Sequence, residues 1–153
     1  MKPKLLIIVG PSRSGKSFLS NMIMREFPDK FSFYDYDKTA GRAAIKEDKS
    51  FDSSYKIMEN YVEKQIKNYN GKIIIVNSIS DKFIKFNEDV DYKKIYIDEK
   101  FIDEERNKAM RMIKSNDFFT DAMINWNTLY DPQKDFIYNR KNHDELLTFL
   151  NNL

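Results

Sequence analysis

The sequence predicts a three-layer α/β fold of the P-loop type: a five-stranded parallel sheet with helices on both faces. Three observations predict it. Short runs of branched apolar residues alternate with stretches of helical periodicity, the order that builds parallel crossovers. Two of these runs, Leu5-Leu6-Ile7-Ile8-Val9 and Ile73-Ile74-Ile75-Val76, are continuous rather than alternating, as strands buried on both faces are. Between the first run and the first helical stretch stands Gly10-Pro11-Ser12-Arg13-Ser14-Gly15-Lys16-Ser17, which reads G-x-x-x-x-G-K-S, a phosphate-binding loop pattern.

Each element follows from local signals. Phe18, Leu19, Met22, Ile23 and Phe27 recur at helical spacing until Pro28 ends the pattern. Phe31-Ser32-Phe33-Tyr34-Asp35 alternates aromatic and polar residues and reads as a second strand ending near Asp35. Lys38 to Lys49 is charged, contains Gly41 and reads as a loop with a short helix. Phe51, Tyr55, Met58, Val62 and Ile66 mark an amphipathic helix. Asn70-Gly71 is turn chemistry, and Lys72 to Val76 gives the third strand. Ser78 to Phe86 reads as a loop with one short helix, followed by a strand at Lys94 to Ile97. Asp103-Glu104-Glu105 sits where a helix dipole favours acids, and that helix is expected to run to about Lys114. A further helix is expected from Asp117 to Leu129, with Met123, Trp126 and Leu129 on one side, broken by Asp131-Pro132. Phe136-Ile137-Tyr138 is the fifth strand. Asn142 and Glu145 make a capping-box-like start to the last helix, which turns Leu146, Leu147 and Leu150 inward.

Composition narrows the class. A chain of 153 residues suits one domain, 1–153, and 41% hydrophobic content is enough for a core. Cysteine is absent, which removes disulfides, thiol nucleophiles and thiolate metal sites and fits a reducing cytoplasm. A net charge of +2 argues against a strong general field for nucleic acid or membrane. No apolar run approaches bilayer length, and the N-terminus carries no signal-peptide pattern.

The loop pattern names its own chemistry. Its glycines let backbone amides wrap phosphate oxygens, and the helix that follows adds positive partial charge. Pro11, Ser12, Arg13, Ser14, Gly15, Lys16, Ser17 and Phe18 are the candidate nucleotide contacts. Lys16 would reach the β- and γ-phosphates of ATP, and Ser17 would ligate Mg²⁺. Other candidates lie just past strand ends, where parallel sheets bind ligands. Asp35 is the first choice to orient or deprotonate an acceptor hydroxyl; Asp37 is the second, and a possible Mg²⁺ partner. Their plain alternative is a solvated turn. Arg42 would bind an anionic part of the acceptor, or be an ordinary surface charge. Arg106 and Arg111, in a lid expected at about 103–117, would stabilise charge on the transferring phosphoryl group, with Lys108 and Lys114 as substitutes. The third strand ends in Asn77 where many P-loop proteins carry an aspartate for Mg²⁺, with Asp81 four residues on. That weakens a motor-type or switch-type ATPase and leaves a small kinase intact. His143 reads as a surface or capping residue.

With those residues in place, the chain resembles small P-loop kinases of the nucleoside-monophosphate-kinase-like group. The tail from Tyr130-Asp131 through Phe136-Ile137-Tyr138-Asn139 and the run from Asp103 through Arg106 and Arg111 to Asp117 are similar to guanylate kinases. The acceptor segment of that family is not matched; Thr39 and Arg42 are the nearest residues. Asp35-Tyr36-Asp37 looks instead like shikimate and other small-hydroxyl kinases, and distantly like polynucleotide 5′-kinases, although the glycine-rich acceptor loop of shikimate kinases is missing at Asn77 to Ser80. The resemblance implies an ATP- and Mg²⁺-dependent phosphotransferase acting on a small molecule, a nucleotide or nucleoside by first expectation. The rivals are another small hydroxyl compound or a polynucleotide 5′-end, and a nucleotide-binding switch without turnover.

Overall fold

The structure, a computed structural model, describes residues 2–10, 14–33, 51–78, 81, 89–98 and 129–153. Five parallel strands form one sheet: β1 (Lys4–Val9), β2 (Phe31–Phe33), β3 (Ile73–Ser78), β4 (Asp91–Ile97) and β5 (Phe136–Tyr138). Their spatial order is β2-β3-β1-β4-β5. The helices described are α1 (Lys16–Glu26), α2 (Phe51–Lys67) and α3 (His143–Asn151).

The central place of β1 explains its sequence. It is laddered to β3 from Leu5↔Ile74 to Val9↔Ser78, and to β4 from Lys4↔Asp91 to Val9↔Tyr96. A strand with neighbours on both edges and helices on both faces has no wet side, so Leu5 to Val9 are all at or below 2% exposure. On one face Leu6 and Ile8 join Leu19 and Ile23 of α1 and Leu146 and Leu150 of α3 in a single core. On the other, Leu5, Ile74 and Val76 pack with Val62 of α2, and Ile66 lies against them. Three layers are the result, as the sequence predicts.

Directional bonds fasten the chain as well. Lys30, just before β2, donates from Nζ to the carbonyls of Leu150 at 2.7 Å and Asn151 at 2.9 Å, which satisfies the loose end of α3. Gly71 takes the expected turn conformation at φ 94°, and the Lys72 amide donates to Asn70 Oδ1.

Several local expectations are corrected. β3 does not stop at Val76: Asn77 and Ser78 continue it and are buried. β4 begins at Asp91, earlier than the apolar run alone suggests, because its first residues are held by the β1 ladder. Leu129 is not on a helix and is 58% exposed. Asn142 is the N-cap of α3 but makes no capping bond with its side chain. It is used in the preceding turn instead, where Oδ1 accepts the Asn139 amide and Nδ2 donates to the Ile137 carbonyl. That turn also holds Arg140 at φ 66°, a left-handed conformation uncommon for a residue with a Cβ.

Burial makes a direct prediction here. Leu146 is fully buried and Ile137 is 38% exposed. Leu146→Ala should lower unfolding stability by about 2–5 kcal/mol, whereas Ile137→Ala should change it by under about 0.5 kcal/mol. Urea unfolding of the two variants checks this, and equal losses would refute the assignment of α3 to the core.

Candidate active site

The sheet order decides where a ligand can bind. The chain leaves β1 toward β2 on one side and leaves β3 toward β4 on the other. Adjacent strands whose connections diverge open a crevice at their carboxyl ends, and in open α/β sheets that is where ligands bind. The loop that begins at Gly10 rises from this point.

Both ends of the loop are anchored by the fold. The Gly10 amide extends the ladder one residue past β1, donating to Ser78 O at 3.0 Å. A Cβ on Gly10 would lie 2.6 Å from Ser14 Oγ and 3.4 Å from Ile97 Cδ1, so the close turn-back of the loop needs glycine there. At the far end Gly15 sits at φ 94° as the N-cap of α1, a conformation natural to glycine. Having no side chain, it supplies no cap, and the first amides of α1 face the crevice without one. Lys16 Nζ reaches back 2.6 Å to the Gly10 carbonyl. The ammonium thereby joins the two ends of the motif.

These features suit a phosphate group. Uncapped helix amides, the positive end of α1 and a lysine ammonium converge at one place. Ser14 Oγ is buried and, among the described residues, has no hydrogen-bond partner. Ser17 is half-buried in the first turn of α1, and Phe18 stands out at 66% exposure.

Asn77 has a different role from the one its position suggests. It is 7% exposed, inside β3, and Oδ1 lies 2.8 Å from Ser20 Oγ of α1. Ser20 Oγ is also 2.9 Å from the Lys16 carbonyl. The side chain that replaces the usual acid thus braces the helix carrying Lys16 and Ser17. Ser20 escaped the sequence reading because a serine inside an apolar helical stripe carries no chemical pattern of its own.

A second polar cluster was also missed. On the face of β4 away from α1, Asp81 Oδ2 accepts the Tyr96 hydroxyl at 2.9 Å and the Leu129 amide at 2.6 Å. Lys94 Nζ donates to the Leu129 carbonyl at 2.8 Å and lies 3.7 Å from Asp135 Oδ2. Asp135 also accepts the amides of Lys94 and Asp131. Burial, and then the Asp81 carboxylate it donates to, push the Tyr96 phenol well above the usual tyrosine pKa, so it remains a donor. Asp81, Lys94 and Asp135 are all buried.

Of the other sequence-predicted site residues, Pro11, Ser12, Arg13, Asp35, Asp37, Arg42, Arg106 and Arg111 lie outside the described residues, as do Thr39, Lys108, Lys114 and Trp126. His143, half-buried, is the first residue of α3. Among the described residues no helix is long and apolar enough to cross a membrane.

No family model matches the chain, and no curated protein matches it in sequence. Solved structures do match in shape. A gluconokinase from Sinorhizobium meliloti 1021 superposes with a TM-score of 0.62 at 12% identity, covering 99% of this chain and 93% of that one. An unliganded sugar kinase from Janibacter sp. HTCC2649 gives a TM-score of 0.57 at 12% identity, covering 97% and 95%. The chain therefore has the three-layer parallel α/β fold of P-loop kinases.

Proposed function

We propose that the chain is an ATP-dependent phosphotransferase that moves the γ-phosphoryl group of ATP to a hydroxyl of a small acceptor. The observation that carries this reading is the uncapped start of α1 at the sheet's switch point, with Lys16 folded back to the Gly10 carbonyl. Such a site holds a polyphosphate through backbone amides and one fixed charge. Ser17, with Asp37 as the second candidate, would hold Mg²⁺, which would supply charge neutralisation for the phosphates.

The acceptor reading favours a sugar or sugar acid. Its supports are the gluconokinase and sugar kinase neighbours and the Asp35-Tyr36-Asp37 pattern after the second strand. In this reading Asp35 takes the proton of the attacking hydroxyl and Arg42 pairs with an acceptor carboxylate or phosphate. Arg106 and Arg111 stabilise charge on the transferring group. A nucleotide or nucleoside acceptor is the second reading, supported by the guanylate-kinase-like tail from Tyr130 to Asn139. One screen separates them: ATP consumption against sugars, sugar acids, nucleosides, nucleoside monophosphates and oligonucleotide 5′-ends. Nucleotide binding with no acceptor-stimulated turnover would instead indicate a switch module.

Two predictions test the chemistry. Lys16→Ala should cut kcat by about a hundredfold or more, the scale of losing one preorganised charge-stabilising donor, while circular dichroism stays that of the parent. Parent-like activity at saturating Mg·ATP would overturn the donor site. Arg106→Ala and Arg111→Ala should each lower kcat by roughly ten- to a thousandfold, about 1.4–4 kcal/mol, with a smaller rise in KM for ATP. If both turn over like the parent, they are solvated charges.

A further inference from the structure

Leu129 is held in an unusual way. The residue is 58% exposed, yet both of its backbone groups are taken by buried side chains from elsewhere in the chain. The amide donates to Asp81 Oδ2, and the carbonyl accepts from Lys94 Nζ. Two bonds to opposite ends of one residue fix its position and rotation together, which one contact cannot do. The holders are themselves held. Tyr96 donates to the same Asp81 oxygen, and Asp135 pairs with Lys94 and accepts its amide. Tyr130, next in the chain, stacks edge-on against Tyr96 with ring centroids 5.4 Å apart.

The place of this clamp gives it meaning. Asp81 follows Ser78, whose carbonyl takes the Gly10 amide at the base of the phosphate loop. Tyr96 is registered with Val9, the last residue of β1. At the other end of the intervening stretch, the Asp98 amide donates to Tyr138 O at 2.8 Å. The chain is therefore tied to β5 at Asp98, just past β4, and at Leu129 it is tied to Lys94 of β4 and to Asp81 beyond β3, the two strands on either side of β1.

We infer that Asp81, with Lys94, is a positioning residue: it sets where the stretch carrying Arg106 and Arg111 rejoins the sheet relative to the phosphate loop. This rests on the phosphotransfer reading for its kinetic consequence, but not for the clamp itself. The loss of Asp81 would take an acceptor from the Tyr96 hydroxyl and from the Leu129 amide and release one of the two bonds that hold Leu129. A shift of about 1 Å at a remote support is enough to lower a rate severalfold to a hundredfold when catalytic charges depend on it.

Trp126, the chain's one tryptophan, lies three residues before Leu129 and reports on this return point without any need for activity. The experiment compares the parent with Asp81→Ala, Asp81→Asn and Tyr96→Phe, reading iodide quenching of Trp126 and steady-state kinetics with the best acceptor of the screen. Asp81→Ala should change the quenching constant at least about twofold and lower kcat about tenfold or more, with KM for Mg·ATP within about twofold. Asp81→Asn should restore both, because its amide oxygen can accept the same two donors. Tyr96→Phe, which keeps the ring, should move both readouts less and in the same direction, and it serves if Asp81→Ala fails to fold. Parent-like quenching in both Asp81→Ala and Tyr96→Phe would overturn the clamp. A rise in KM as large as the fall in kcat, or no rescue by Asp81→Asn, would overturn the positioning role. A parent with no acceptor-stimulated turnover refutes the phosphotransfer reading alone, and the quenching comparison then decides the clamp by itself.

Discussion

The hydrogen-bond ladder on both edges of β1 is the constraint from which the rest follows. A strand paired on one edge can slip or fray; one paired on both cannot move without breaking two ladders at once. The ladder does not end with the strand. It continues to Gly10, whose amide donates to Ser78, so the start of the phosphate loop is placed as firmly as the core itself. The loop's other end belongs to α1, where the Leu19 amide donates to the Gly15 carbonyl at 3.0 Å and Ser20 meets Asn77 of β3. Glycine at each end of the motif permits the close approach at Gly10 and the left-handed conformation at Gly15. Preorganised dipoles such as the first amides of α1 need no rearrangement when charge develops. The site's electrostatics are inherited from packing several residues away.

The large elements were legible because apolar patterns report burial directly. Continuous branched runs at Leu5 to Val9 and Ile73 to Val76 could only be strands covered on both faces, and the helical stripes around Leu19 and Val62 did pack on opposite sides of them. The G-x-x-x-x-G-K-S spacing was legible because it states a geometry as well as a composition. Strand order was not, since no local signal says which strand lies beside which. The role of Lys94 was not legible for a related reason: only its partners, 35 residues on at Leu129 and 41 on at Asp135, reveal that its charge is buried. Asp81 was legible as an acid near the end of the third strand, but not as the acceptor of Tyr96 and Leu129. Asn142 shows the reverse error. Its type and its spacing to Glu145 fit a capping box, but the adjacent turn offered its side chain two partners first.

The polar cluster behind β4 is a poor way to gain stability. The ion pair of Lys94 and Asp135 is nearly free of solvent, with side chains 6% and 0% exposed, and its atoms are 3.7 Å apart. Taking both charges from water costs several kcal/mol per ion before their attraction returns any of it, and apolar residues of similar volume often do as well or better. Burial of this kind makes sense where position matters more than energy. The apolar contacts on that face, such as Tyr96 against Tyr130, hold the returning chain down but tolerate sliding, because dispersion has little directional demand. Hydrogen bonds to both groups of one residue do not tolerate it. The core layers of the sheet thus set the phosphate loop through a ladder, and the cluster of Asp81, Tyr96, Lys94 and Asp135 sets the returning chain through side chains. The loop is fastened to β3 and the returning chain to β4, and both strands are laddered to β1, so the two share one frame of reference.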